Sequence, residues 1–339
     1  MLKKGKGYLE IGLVCILILL SFMKILNIYK ERLNRIEENP PNISGKMVYH
    51  TYSNYNDGDS QLYVFDFEKK ENICISDKFK GVFNAMNGNF SSNGSEIVFM
   101  ALKDRKEKDE WDIFIYNLET EKLTNLTKGN GLSDEDPKFS PDGKKIIFKQ
   151  GHLDEAENKV DFNLVEMNLE TEELKNLTDD IEEDSMPFYS ANGESIYYAR
   201  ATGDKSSKIC SINLGNENEI RNIYVENGVY CYYPTIYKDT LYFSKDYSTT
   251  NKSDVIVKMD LNTKEITIPD FNSSEYDCSD AYAISEQYII ISSTKPDGKG
   301  GYDLYIADVE TGKLWSMNLF GHGINNEKHQ LGASYYSKD

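Results

Sequence analysis

A unit of about fifty residues recurs along almost the whole chain, and no other feature restricts the fold as severely. Its clearest copy runs Asp136-Pro137-Lys138-Phe139-Ser140-Pro141-Asp142-Gly143-Lys144-Lys145-Ile146-Ile147-Phe148. Alignment on Ser140 gives Ser91, Ser140, Ser190, Tyr237, Ser285 and Ser337, separated by 49, 50, 47, 48 and 52 residues. Each copy reads as four short strands. In the third, Pro137–Ser140 is the first strand, Pro141-Asp142-Gly143 a tight turn and Lys145–Lys149 a buried second strand. Phe162–Leu169 alternates as a half-exposed third strand, Glu170-Thr171-Glu172-Glu173 turns the chain, and Leu174–Thr178 is the outer strand. The same order recurs at Asp112–Leu118, Val255–Leu261 and Asp303–Val309, each followed by a Thr-containing turn.

Four-stranded antiparallel units without helices must cover both faces of every sheet, and radial stacking does so while leaving only short edges. The expected fold is therefore all-β, a six-bladed β-propeller over residues 42–339. The chain ends settle how the ring closes. Leu331–Asp339 is a first strand with half a turn, whereas Gly45–His50 begins with a second strand that lacks a first. Joined, the two make one blade, so the last strand is expected beside the first, sealing the ring and removing its free edge.

The run Phe139–Phe148, its weaker echoes at Phe90–Phe99 and Tyr189–Tyr198, and Gly301–Asp308 resemble the WD-like repeat of TolB-type six-bladed propellers. The resemblance spans roughly residues 42–339. It implies the fold and leaves the function open, because the same repeat serves periplasmic scaffolds, peptidase accessory domains and other exported proteins. In place of the α/β domain that precedes the TolB propeller, an anchor and stalk are expected here, so no TolB-specific partner carries over.

Ahead of the repeats, Ile11–Tyr29 is a mostly apolar run interrupted by Ser21, Lys24 and Asn27. As a helix it covers about 28 Å, one hydrocarbon core, and Lys24 can snorkel to the headgroups. Residues 1–10 form a short basic tail, 11–29 a transmembrane signal anchor, and 30–41 a charged stalk that Pro40-Pro41 stiffens. Cleavage is not expected, since the first alanine in the chain is Ala85 and signal peptidase needs small residues. Val14 ahead of Cys15, with apolar residues after it, argues against lipidation there. Long domains translocate regardless of flanking charge, which places the propeller on the extracytoplasmic side of the cell membrane. An alternative is a prepilin-like, pilus-associated subunit, because Gly7-Tyr8-Leu9-Glu10 precedes the apolar run, although the glutamate of such leaders sits two residues later.

Charge narrows the partners. The chain carries a net charge of -18 while residues 1–38 hold seven Lys/Arg and four Glu, so the remainder is at -21. That surface repels phosphate backbones, and nucleic acid is excluded as a partner. A protein, peptide or surface polymer is the expected ligand of a monomeric ring. The loops entering the blades carry Asp134, Glu135 and Asp136, then Glu182, Glu183 and Asp184, then Asp277 and Asp280. Asp134 and Asp184 both lie six positions before the aligned serine, so repeat symmetry places them on one face. An acidic rim built from Asp134, Asp136, Asp184, Asp277 and Asp280 is the candidate binding site, suited to a basic segment or to Ca²⁺.

Catalytic signatures are missing. The sequence has no GxSxG elbow, no P-loop and no dinucleotide fingerprint, and Asp297–Gly301 falls within a hairpin signal. Of four histidines, His50 reads as a structural ring on a strand and His152 as a loop residue. His322 and His329 flank Glu327 without the three or four convergent ligands that zinc requires. Asn56-Asp57-Gly58-Asp59 lacks the rest of a calcium loop and reads as a turn. Cys74, Cys210, Cys231 and Cys278 are scattered singly and are expected as free thiols; Cys210 and Cys231, near the fourth and fifth units, are the pair that a disulfide would join. The reading is a non-enzymatic scaffold at the cell envelope. A polysaccharide-acting hydrolase or lyase is its alternative, because paired carboxylates serve that chemistry when a cleft separates them correctly.

Overall fold

The computed structural model describes residues 23–24, 39–103, 110–154, 159–179, 182–202, 206–215, 218–247 and 253–338. Contacts divide the chain into two units, Met1–Asn42 and Ile43–Asp339. All of the expected anchor but residues 23–24, and nearly all of its stalk, lie outside the described residues. Among the described residues no helix is long and apolar enough to cross a membrane.

The second unit is built of strands. Blade 1 contains β1 (Lys46–Tyr52), β2 (Gln61–Asp66) and β3 (Glu71–Cys74), and blade 2 contains β4 (Phe83–Phe90), β5 (Glu96–Leu102), β6 (Trp111–Asn117) and β7 (Leu123–Asn125). Blade 3 follows with β8 (Ser133–Phe139), β9 (Lys145–Asp154), β10 (Lys159–Asn168) and β11 (Leu174–Asn176). Blade 4 has β12 (Asp184–Tyr189), β13 (Ser195–Thr202), β14 (Ser206–Asn213) and β15 (Glu219–Tyr224); blade 5 has β16 (Tyr230–Tyr237), β17 (Thr240–Asp246), β18 (Val255–Asp260) and β19 (Ile266–Thr267). Blade 6 comprises β20 (Cys278–Ala283), β21 (Tyr288–Ser293), β22 (Asp303–Asp308) and β23 (Leu314–Ser316), leaving β24 (His329–Tyr336) to complete the first. Among the described residues these make six four-stranded antiparallel sheets, and the first has the order β24-β1-β2-β3.

Closure takes the expected form. Lys46 pairs with Tyr336, Met47 with Tyr335, Val48 with Ser334 and Thr51 with Gln330, so the end of the chain supplies the innermost strand of its first blade.

The repeated motif encodes the turns. Ser140 Oγ accepts from Lys145 N at 3.0 Å and donates to Asp142 Oδ1 at 2.6 Å, while Gly143 takes φ +69 and donates its N–H to Ser140 O. Ser91 and Ser190 repeat the arrangement with Asn93 and Asn192 in place of the aspartate. At the outer hairpins Asn117, Asn168, Asp260 and Asp308 each accept two backbone N–H groups from the residues that follow, which is an Asx-turn. Asn56–Asp59 forms a turn as expected, with Gly58 left-handed at φ 62.

The core lies between blades. Val48, Leu62 and Val64 of blade 1 pack on Phe90, Ile97, Phe99 and Phe114 of blade 2, and Met47, Tyr49 and Phe65 close the ring against Ile290, Leu304 and Ile306 of blade 6. Each such side chain contributes about 1.5–3 kcal/mol on burial. No blade could hide its apolar face alone.

Every innermost strand is interrupted by a bulge. Register shifts fall between Met86 and Asn89, Glu135 and Lys138, Ser185 and Phe188, Tyr232 and Thr235, and Ser279 and Tyr282, and β24 shifts against Val48–His50. Each contains a left-handed residue: Asn87, Asp136, Met186, Tyr233, Asp280 and, in β24, Gly332 at φ +58. A side chain at Gly332 would also meet the His50 ring, with the nearest atom 2.6 Å from the added carbon. Because of these bulges the inner strands begin earlier than the sequence suggests. β8 starts at Ser133 instead of Pro137, and its partner β9 runs to Asp154 instead of Lys149.

Candidate functional site

The extra strand length relocates the carboxylates expected on a solvent-facing rim. Asp134 and Asp184 are fully buried inside β8 and β12. Asp134 pairs across the sheet with Gln150, whose Nε2 donates to Oδ1 at 2.8 Å, and Asn130 Nδ2 donates to Oδ2 at 2.7 Å. Burial pushes its carboxyl up, and these donors hold it back. Asp184 pairs across the sheet with Arg200, which grips it through Nε and Nη2 at 2.7 Å each. Repeat symmetry does put the two at equivalent positions, but as internal clamps of blades 3 and 4.

Asp136 and Asp280 are left-handed bulge residues of their inner strands, and both are buried. Asn87 Nδ2 donates to Asp136 Oδ1 at 2.7 Å, and Lys138 stands among Asp136 and Asp280 with its ammonium donating to Pro137 O at 3.2 Å. Burial, then the nearby Asp136, raises Asp280 to about 6, while the Gly332 N–H and Lys138 oppose the rise. Burial and the same lysine lower His50 to about 3. The ring is therefore neutral, and its Nδ1 accepts from Asn87 N at 3.4 Å. His50 is structural, as expected. A cavity of about 10 Å³ beside Asp136, Lys138, Met186 and Tyr233 is room for about one water.

Asp277, the last of the expected rim residues, is half-buried among groups that the sequence did not single out. Its Oδ1 accepts from Asp254 N at 3.0 Å, its own N–H donates to Thr294 Oγ1 at 2.8 Å, and the Tyr302 hydroxyl lies 3.5 Å from Oδ2. Tyr232 donates its hydroxyl to Asp254 Oδ2 at 2.9 Å. Burial, followed by the charges of Asp246 and Asp277, lifts Asp254 to about 7. Tyr232 and Tyr302 are pushed up by burial and by these carboxylates together with Asp280. Asp246 and Asp254 flank the Lys245↔Val255 pair of one hairpin. That symmetry was the available signal: two acids at equal distance from a hairpin pair must meet.

Aromatic rings continue from this cluster. His50 stacks on Tyr52 at 6.0 Å, Tyr52 on His329 at 5.1 Å, and His329 lies 6.1 Å from Tyr302 while its Nδ1 accepts the Tyr302 N–H at 3.2 Å. Farther round, Lys149 bridges Glu135 at 3.1 Å and Glu183 at 3.3 Å. Burial opposes its charge, but Glu135, Asp136 and Glu183 overcome that and raise it. Tyr55 and Tyr230 both feel the fields of Asp136 and Lys149, which places them near this bridge.

Among the described residues no group of three or more His, Cys, Asp or Glu is disposed to hold a metal ion, and this includes His322, Glu327 and His329 as well as the aspartates above. Cys74, Cys210, Cys231 and Cys278 are free, so Cys210 and Cys231 are not joined. Burial pushes the Cys231 and Cys278 thiols up to about 12, far from thiolate reactivity.

The six-bladed ring has solved counterparts. TolB from Acinetobacter baumannii superposes with a TM-score of 0.67 at 15% identity, over 87% of this chain and 67% of that one. The chain shares the TolB propeller fold. A chain of the nidogen/laminin complex (TM-score 0.61, 9% identity) aligns over 87% of this chain and all of that one, and oligogalacturonate lyase in complex with manganese (TM-score 0.50, 13% identity) over 81% and 74%. No family model and no curated protein matches the sequence. At these identities the TolB likeness extends to the fold alone.

Proposed function

We propose that the chain is a membrane-tethered, non-enzymatic scaffold of the cell envelope, anchored through residues 11–29, with the propeller on the extracytoplasmic side. The observation that carries the reading is the convergence of Asp246, Asp254 and Asp277 with Tyr232 and Tyr302. Carboxylates gathered beside tyrosine side chains suit a lysine or arginine side chain, which gains charge pairing there. The ligand is therefore a basic segment of a protein. The domain's net charge of -21, from the totals above, steers such a segment inward. The occurrence of this fold in the nidogen/laminin complex is in keeping with protein binding.

Titration of the detergent-solubilised full-length chain with a labelled Lys/Arg-rich peptide should give saturable binding, weakened about tenfold in Asp254→Asn/Asp277→Asn. Equal binding of a matched acidic peptide would sink the reading. Removing residues 1–41 should move the chain from the membrane to the soluble fraction.

The value of about 7 at Asp254, beside a second carboxylate, favours one further reading, a hydrolase or lyase acting on a surface polysaccharide. Turnover of a polysaccharide panel by the chain, lost in Asp254→Asn, would establish it in place of the scaffold.

A further inference from the structure

The bulge described for every innermost strand occurs twice in blade 2. Besides the shift between Met86 and Asn89 that matches the other blades, β4 shifts between Phe83 and Met86, and Asn84 takes φ 55 there. Among the described inner strands this second bulge has no counterpart, so ring closure does not require it. Bulges of this kind re-aim a side chain.

The side chain in question is that of Asn84. It is 7% exposed, and its Oδ1 is occupied by the Ser60 N–H at 3.2 Å. Fixing the oxygen fixes the amide plane. Nδ2 is thereby turned toward Gly58, 4.0 Å from where a side-chain carbon on that glycine would stand, and among the described residues it has no acceptor. The space in front of it is a pocket of about 370 Å³ between the β1–β2 connection and the start of β4. Phe83, Gln61 and Ser76 line it, as do Asp59 and Lys328, which form an ion pair at 3.3 Å.

The geometry points to a second ligand site here, for a neutral saccharide. Its volume is that of a small-ligand pocket, and its polar groups alternate in kind: an amide donor, a carboxylate acceptor and an ammonium donor. A sugar offers hydroxyls that both donate and accept. Because Asp59 and Lys328 cancel locally, and the domain is strongly acidic, an anionic ligand gains nothing from this pocket. The site is separate from the Asp254 cluster and does not depend on the function proposed above.

Isothermal titration of the full-length chain with cellobiose, lactose and chitobiose tests it. Saturable binding of at least one is expected, weakened about tenfold in Asn84→Asp, which keeps the acceptor for Ser60 but replaces the free donor with an oxygen. Lys328→Gln, at a half-buried position, should weaken it by a smaller factor and serves if the first variant does not fold. No binding of any of the three, or an unchanged Kd in the variant that folds, overturns the site. So does tighter binding of galacturonate than of galactose.

Discussion

Asp184 and Asp254 carry the same side chain in neighbouring blades of one propeller, yet their surroundings set opposite tasks. Asp184 is fully buried and held by a two-pronged guanidinium, so its charge is neutralised inside the sheet. Asp254 is half-buried, held by a phenol, and pressed by two other carboxylates until it titrates near neutrality. Charge-assisted pairing makes the first a fixed strut. Crowding of like charges makes the second responsive to protons and to incoming cations.

The sharpest way to break this contrast is Arg200→Met, which strands the Asp184 charge. It should cost about 3–5 kcal/mol in denaturant unfolding, and a smaller loss would mean that Asp184 is no strut. Gln150→Ala removes one of the donors to Asp134, with an expected loss of about 1–3 kcal/mol by the same measurement.

Asp254→Asn tests the other side. A carboxyl whose folded value is raised binds its proton more tightly in the native state, so wild-type stability falls as pH rises from about 3.8 to about 7 and is then level. Asp280, also raised, acts in the same direction up to about 6, whereas His50, lowered to about 3, favours the fold as pH rises toward 6.5. The difference between variant and wild type isolates Asp254. It should grow in favour of Asn with pH, level off above about 7, and reach about 1 kcal/mol, since screening at this half-exposed site keeps it small. A difference that does not change with pH would erase the contrast. Tyr232→Phe should have the smallest effect, under about 1 kcal/mol, and should raise the Asp254 midpoint in a carboxyl NMR titration because the phenol favours the ionised form.

The ring, its blade count and its seam were legible because they rest on periodicity and on turn chemistry written in Ser, Asp, Asn and Gly. Placement of the acids was not. Asp136, Met186, Tyr233 and Asp280 adopt left-handed backbone without being glycine, so no residue type announced that the inner strands begin before the motif. One trace existed: Pro137, Pro187 and Pro234 each follow a bulge residue, and proline inside a strand marks an interrupted ladder. Asn84 left no such trace, since its bulge belongs to one blade alone.

The union of β24 with β1 also bears on biosynthesis. The strand that completes blade 1 is synthesised nearly three hundred positions after the strand it pairs with. Until β24 has been made, Met47 and Val48 have no neighbour on one flank, and a nascent chain offers that flank to any extended segment it meets. Loss of β24 would leave that flank of blade 1 unlatched.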